Sequence, residues 1–412
     1  MNLNLKLEYY PKVKNEQLRE YFTDIKKNMK KWDPPFFTDT KSYLNMEKIK
    51  LATGKIMNDN LENIIILGTG GSIQTFLALK HLAHKKIFPI PSSRAVELKG
   101  CLEKTTPENS IVIPISRGGK TLDVNSTIGI FLKRGYKFLG ISSKGPMNEM
   151  LKEINCPILE VPDLSGRFAG SISNVGIVPA FVSGVKVDAF LKGLEEGYKL
   201  FMNNNLNPSI ELASFLFNLY QKGYKVVFSM PYSKNIEESV GLFVQEISES
   251  TGKDDKGLMG AYQSAPLCQH SVLEYLLGGS KGAVIPILWI VEKEIPDLIL
   301  DSSIDYVNTE TAQTIVNYQA DSTFQALIEQ SVPSAKITIN DPEAANIGYL
   351  ISFIQSTIYY LCMLLDVNWA NNPKVVIGKN ICNEALKNKI LPEQRAKIIK
   401  KIANEKFKNF YN

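Results

Sequence analysis

Residues 63–72 read NIIILGTGGS, a continuous apolar run that stops in a glycine-rich turn. Ile64-Ile65-Ile66-Leu67 reads as a short strand, and a helical pattern running through His81 follows the turn. Strand, glycine loop and helix in that order open a parallel α/β layer. A second unit repeats the order, with Ser110–Ile115 as strand, Ser116-Arg117-Gly118-Gly119-Lys120-Thr121 as loop and a helix over 121–134. Phe138–Ile141 and Pro157–Val161 supply a third and a fourth strand. This alternation predicts a doubly wound sheet whose ligands sit beyond the carboxyl ends of the strands.

Outward from that layer the pattern recurs. After Asp163 a glycine- and serine-rich stretch turns helical near Ala180. Then come a helix over 209–221, the strand Lys225–Ser229, a helix ending at Glu249, the Gln269-His270 loop, and strands at Gly282–Ile290 and Lys336–Ile339. A helix over 343–365 leads through Asn368–Pro373 to a helix carrying Lys379, and a basic amphipathic tail fills 391–412. Residues 1–55 read as a polar helical lead-in. The expected organisation is therefore a lead-in (1–55), two α/β domains with parallel sheets flanked by helices (56–205 and 206–370), and a C-terminal loop and helical tail (371–412). The repeat is one of architecture, without internal sequence identity.

Composition narrows the function classes. A chain of 412 residues with 44% hydrophobic and 22% charged residues is an ordinary folded protein of two to three domains. Its net charge of +5 is spread along the chain, which suits an anionic small substrate and gives no ground for nucleic acid or membrane as partner. The five cysteines, Cys101, Cys156, Cys268, Cys362 and Cys382, are scattered and show no CxxC spacing, so neither a disulfide framework nor a zinc site is indicated and a reducing cytoplasm fits. The sequence offers no convincing site for a metal or a redox cofactor. MNLNLKLEYYPKVKNEQ lacks an apolar signal core. The apolar stretch 348–367 carries Ser352, Gln355, Ser356, Thr357 and Asp366, which marks a buried helix rather than a membrane one.

Two loops and one helix end carry the chemistry. Gly68-Thr69-Gly70-Gly71-Ser72 has neither the full GxGxxG register nor the Gly-Lys-Ser/Thr of a nucleotide loop, but its amides and the Ser72 hydroxyl suit a phosphate monoester. Ser116, Arg117, Lys120 and Thr121 repeat that logic with hydroxyls for oxygens and cations for charge. Two such loops on neighbouring strands favour a phosphate cradle, and without ATP machinery the phosphate belongs to the substrate. Gln245 and Glu249, four apart, share one face near a helix end that Thr251-Gly252 closes. His270 follows on the next loop. A carboxylate and an imidazole on adjoining loops are the parts that proton transfer at neutral pH requires.

In order and spacing these segments, with Gly166-Arg167-Phe168, Glu249-Ser250-Thr251-Gly252-Lys253 and Pro373–Lys379, resemble the glucose-6-phosphate isomerase family of the sugar-isomerase (SIS) fold group over residues 60–390. The resemblance implies two SIS-type domains, a homodimer with a shared active site, and an intramolecular oxidoreductase of glycolysis and gluconeogenesis that needs no cofactor. It implies that Gly71, Ser72, Ser116, Lys120 and Thr121 hold the sugar phosphate, with Arg117 standing where the family usually has lysine. It implies that His270 and Lys379 open the pyranose ring, that Glu249 moves the proton between C2 and C1, that Arg167 steadies the enediolate, and that Gln245 lines the pocket. Two other readings compete: a related isomerase acting on mannose 6-phosphate or on both sugars, and a non-catalytic sugar-phosphate sensor. The sensor would be expected to lose its base or its histidine, and both are present.

Overall fold

The computed structural model describes residues 3–32, 34, 37–164, 166–203, 206–388 and 392–406. Its contacts gather Met1–Trp369 into one unit and Ala370–Asn412 into another. The strands are β1 (Leu5–Tyr10), β2 (Asn63–Leu67), β3 (Lys86–Ile90), β4 (Ser110–Pro114), β5 (Lys137–Phe138), β6 (Gly140–Ile141), β7 (Ile158–Leu159), β8 (Val226–Pro231), β9 (Met259–Tyr262), β10 (Val284–Val291) and β11 (Ser334–Ile339).

β2 is buried along its whole length and stands inside a parallel sheet of order β3-β2-β4-β5, with Ile64 opposite both Ile87 and Ile111. The sheet continues beyond β5, because Ile141 of β6 bridges Ile115 and pairs with Leu159 of β7. The winding therefore starts at β2, steps out to β3, and returns to the other side through β4. That reversal puts a topological switch point between β2 and β4, where doubly wound sheets open a crevice for ligands. The loops at 68–72 and 116–121 leave those two strands.

The second sheet has the order β1-β11-β10-β8-β9. Its parallel strands wind the same way, from β8 out to β9 and back through β10 to β11. The architectural repeat is thus the same winding used twice. An extra strand departs from it: β1 lies antiparallel on β11, with Leu5 opposite Ile339. This corrects the reading of residues 1–55 as helical. The strand's partner is far away in sequence and its charged positions are Lys6, exposed, and Glu8, half-buried, so nothing local announces it; helices Asn15–Met29 and Met46–Gly54 follow.

β3 and β9 also escaped the pattern. Pro89 interrupts β3, which is tolerated because that strand lies at a sheet edge. β9 is short and contains Gly260, where a Cβ would stand 2.8–2.9 Å from Ile247 and Val244 of the helix bearing Glu249.

The long helix Ala344–Leu365 is buried at every residue, as expected of a core helix, and is the one described helix long and apolar enough to cross a membrane. It crosses the helix Val187–Phe201 at glycine contacts: a Cβ on Gly193 would run into the Ala345 carbonyl, and one on Gly348 into that of Phe190. Helices Pro208–Gln221 and Glu237–Thr251 also pack on it, so the Glu249 helix is fixed to the core of the fold.

Candidate active site

The first loop leaves β2 through Gly68 and tightens into the 3-10 turn Gly70–Ser72, with Gly70 at φ +57°. Ser72 is half-buried beside the crevice. The helix behind it, Gln74–Leu79, is shorter than the pattern through His81 implied and passes into a 3-10 turn at Lys80–Leu82.

The second loop is held from two sides. Ser116 is buried, and its Oγ lies 2.8 Å from Thr121 Oγ1, so the two hydroxyls expected to meet a phosphate already face one another. Gly119 is left-handed at φ +63°, and a side chain there would also strike the Lys144 carbonyl, so glycine is needed on both counts. Asn125 Nδ2 donates to the carbonyls of Gly119 (3.0 Å) and Thr121 (2.9 Å), tying the loop to the helix Leu122–Leu132. Lys120 is exposed. Arg117 is engaged elsewhere in this structure: one guanidinium nitrogen lies 2.7 Å from Asp163 Oδ1 and 3.0 Å from the Leu164 carbonyl oxygen.

The helix Glu237–Thr251 buries Val240, Phe243 and Ile247, and turns Gln245 and Glu249 to its half-buried face. Gln245 Nε2 donates to Glu249 Oε1 at 3.3 Å. The same nitrogen lies 3.2 Å from where a Cβ on Gly70 would stand. The glycine loop of the first sheet and the helix of the expected base therefore meet side chain to backbone. Gly252 does end the helix, but at φ -73° rather than in the left-handed region. Its glycine is needed for space, since a Cβ would come 2.7 Å from the Ser248 carbonyl oxygen. The left-handed residues come later, at Asp254, Asp255 and Gly257. Lys253 points back into the fold and donates to the carbonyls of Ser250 (2.8 Å) and Asn368. It anchors the turn after Glu249, a role the sequence reading did not assign.

His270 ends the 3-10 turn Leu267–His270 and is exposed. Gln269 is the anchor of that turn: its Nε2 donates to Tyr232 Oη at 2.8 Å and to Thr323 Oγ1. Burial pushes the Tyr232 phenol up to about 12, so it remains a neutral hydroxyl. Arg167 belongs to the helical turn Gly166–Ala169, which packs on Gly70–Ser72; its side chain lies outside the described residues. Lys379 is exposed on the helix Val376–Lys387 of the C-terminal unit. The structure thus brings Gly70–Ser72, Ser116–Thr121, the Arg167 turn, Gln245 and Glu249 into the Met1–Trp369 unit around one switch point.

No family model matches the chain. Curated proteins do. A glucose-6-phosphate isomerase of Methanocaldococcus jannaschii is 26% identical over 363 residues, covering 83% of this chain and 87% of the relative. A glucose-6-phosphate isomerase of Mycoplasmopsis pulmonis is 24% identical over 420 residues, covering 91% and 97%. The chain is a relative of the glucose-6-phosphate isomerases. Solved structures agree on the fold. A glucose-6-phosphate isomerase from Chlamydia trachomatis superposes with a TM-score of 0.77 at 15% identity, covering 97% of this chain and 91% of that one. A hypothetical protein from Thermus thermophilus superposes with a TM-score of 0.81 at 19% identity, covering 92% and 100%. The α/β fold of parallel sheets flanked by helices, expected from the alternation of strands and helices, is the fold observed, with β1 as an antiparallel addition.

Proposed function

We propose that this protein interconverts glucose 6-phosphate and fructose 6-phosphate. The observation that carries the reading is the meeting of Gln245 and Glu249 with the Gly70 loop at the switch point of the first sheet, in a relative of the isomerases. Ser72, Ser116 and Thr121, with the amides around Gly71, are the groups for the phosphate, and Arg117 and Lys120 supply positive charge nearby. His270 opens the ring by moving a proton between the ring oxygen and the C1 hydroxyl, and the resemblance gives Lys379 a share in that step.

Glu249 then takes the proton from C2 of the open aldose. The C2–H electrons become the C1–C2 double bond, the carbonyl electrons move to O1, and O1 gains a proton to give the cis-enediol. Return of the proton from Glu249 to C1, with loss of the O2 proton and re-formation of a carbonyl at C2, completes the ketose. Positive charge from Arg167 on the enediolate oxygens stabilises this route by about 3 kcal/mol where the cation is fixed in advance.

We also propose a homodimer in a reducing cytoplasm. The exposed position of His270 supports a site completed across two copies, and the five free cysteines support the compartment. The test is a coupled assay of fructose 6-phosphate conversion with wild type beside Glu249→Gln. A wild-type rate that falls by about a thousandfold in the variant supports the enediol route. A wild type that binds sugar phosphate without turnover favours the sensor reading.

A further inference from the structure

Glu246 follows Gln245 on the same helix and faces the other way, into the core, where it is fully buried. A carboxylate there costs folding free energy that an apolar residue of similar volume would not. Its Oε1 accepts from Gln355 Nε2 at 3.0 Å. The same Gln355 nitrogen donates to the Phe168 carbonyl oxygen at 3.2 Å. Gln355 Oε1 accepts from Tyr198 Oη and, at 3.2 Å, from Ser171 Oγ; Ser171 Oγ also lies 2.9 Å from the Phe168 carbonyl oxygen. Glu246, Gln355, Tyr198 and Ser171 are all buried, so the cluster acts in a low dielectric where each bond is strong and a missing partner is costly. The amide of Gln355 has both donors and its oxygen used, which fixes its orientation.

These bonds join three helices to one functional turn. Glu246 lies one turn from Glu249, and Phe168 directly follows Arg167. We propose that Glu246, acting through Gln355, is a positioning residue that holds the Arg167 turn in register with Glu249 for proton transfer. The inference rests on the isomerase reading. A register error of about 1 Å between a base and the charge that stabilises its product costs on the order of a hundredfold in rate, while substrate held by its phosphate is still bound.

The test compares wild type, Glu246→Leu and Glu246→Gln by thermal melting and by kcat and KM for fructose 6-phosphate. Leucine fills the volume without accepting a hydrogen bond; glutamine keeps an acceptor oxygen for Gln355. The expected result is a Leu variant that melts no lower than wild type, with KM changed less than about twofold and kcat lowered at least about tenfold, and a Gln variant with most of the rate restored. A Leu variant with wild-type kcat overturns the positioning role, as does a kcat loss that glutamine does not relieve. Should the Leu variant fail to fold, Tyr198→Phe removes one hydroxyl from the cluster; kcat lowered about threefold at constant KM supports the role, and wild-type kcat overturns it. A wild type without turnover sinks the isomerase reading itself, which separates that failure from this one.

Discussion

The amide nitrogen of Gln245 stands 3.2 Å from the point a methyl group on Gly70 would occupy, while donating to Glu249. Gly70 is also left-handed. Gly70→Ala should therefore cost about 1 kcal/mol of stability from the backbone alone and push the Gln245 amide off Glu249. The expected outcome is a kcat/KM for fructose 6-phosphate lowered about tenfold with a small drop in melting temperature. Unchanged kinetics would mean that the loop and the helix do not share a substrate.

Arg117, assigned to the substrate phosphate in the proposed function, already meets the Asp163 carboxylate at 2.7 Å. The pair is exposed, so it is worth little to stability, about 0.5 kcal/mol. Asp163→Asn should lower KM for fructose 6-phosphate about twofold by freeing the guanidinium, and Arg117→Ala should raise it, both with kcat nearly constant. Steady-state kinetics at low and high salt check this, since screening should shrink both effects.

Gln269 ties the His270 turn to Tyr232 and Thr323. Gln269→Leu leaves the Tyr232 and Thr323 hydroxyls short of a partner and lets the turn drift. A kcat reduction of about tenfold is expected, together with a stability loss of about 1–2 kcal/mol for the orphaned buried groups. Thr323→Val, which removes one of the two anchors, should show the same direction at smaller size.

His81 predicts a pH dependence of stability that is separate from catalysis. Burial depresses its pKa below the ordinary 6.5, against the opposing hydrogen bond of its Nε2 to the Pro342 carbonyl oxygen at 2.8 Å and the charge of Glu294. The unfolded chain then binds a proton more readily than the folded one. Stability from this group is full above pH 6.5 and is lost as pH falls from there through the lower folded value. Urea titrations between neutral and mildly acidic pH should show that decline in wild type and a flatter one in His81→Gln.

What the sequence announced was governed by short-range pattern. The run at 64–67, the loops at 68–72 and 116–121, and the helix carrying Glu249, closed at Thr251-Gly252, all appear where periodicity and glycine placement put them. β1, β3 and β9 stayed hidden because edge position, a proline and a glycine chosen for close approach each blur the strand signal. At the site, residue types were legible and orientations were not. Gln269 and Lys253 turn inward to hold backbone and hydroxyls, Arg117 reaches Asp163, and Glu246 sits in the core one residue from a polar face. Only Phe243, Ile247 and Ser250 around it hinted that Glu246 faces inward, and no spacing rule names Gln355 as its partner.

The pairing of β1 with β11 sets a timetable for synthesis. Strands β2 to β7 lie close together in the chain, so the first layer can assemble while the ribosome is still at work. Leu5–Tyr10 emerges before any of it and must wait, unpaired, until Ser334–Ile339 has been made. During that interval its backbone groups are open to other chains, and after it the strand seals the rim of β11. A nascent chain stalled between the two strands therefore keeps an open strand edge even with its first layer already folded.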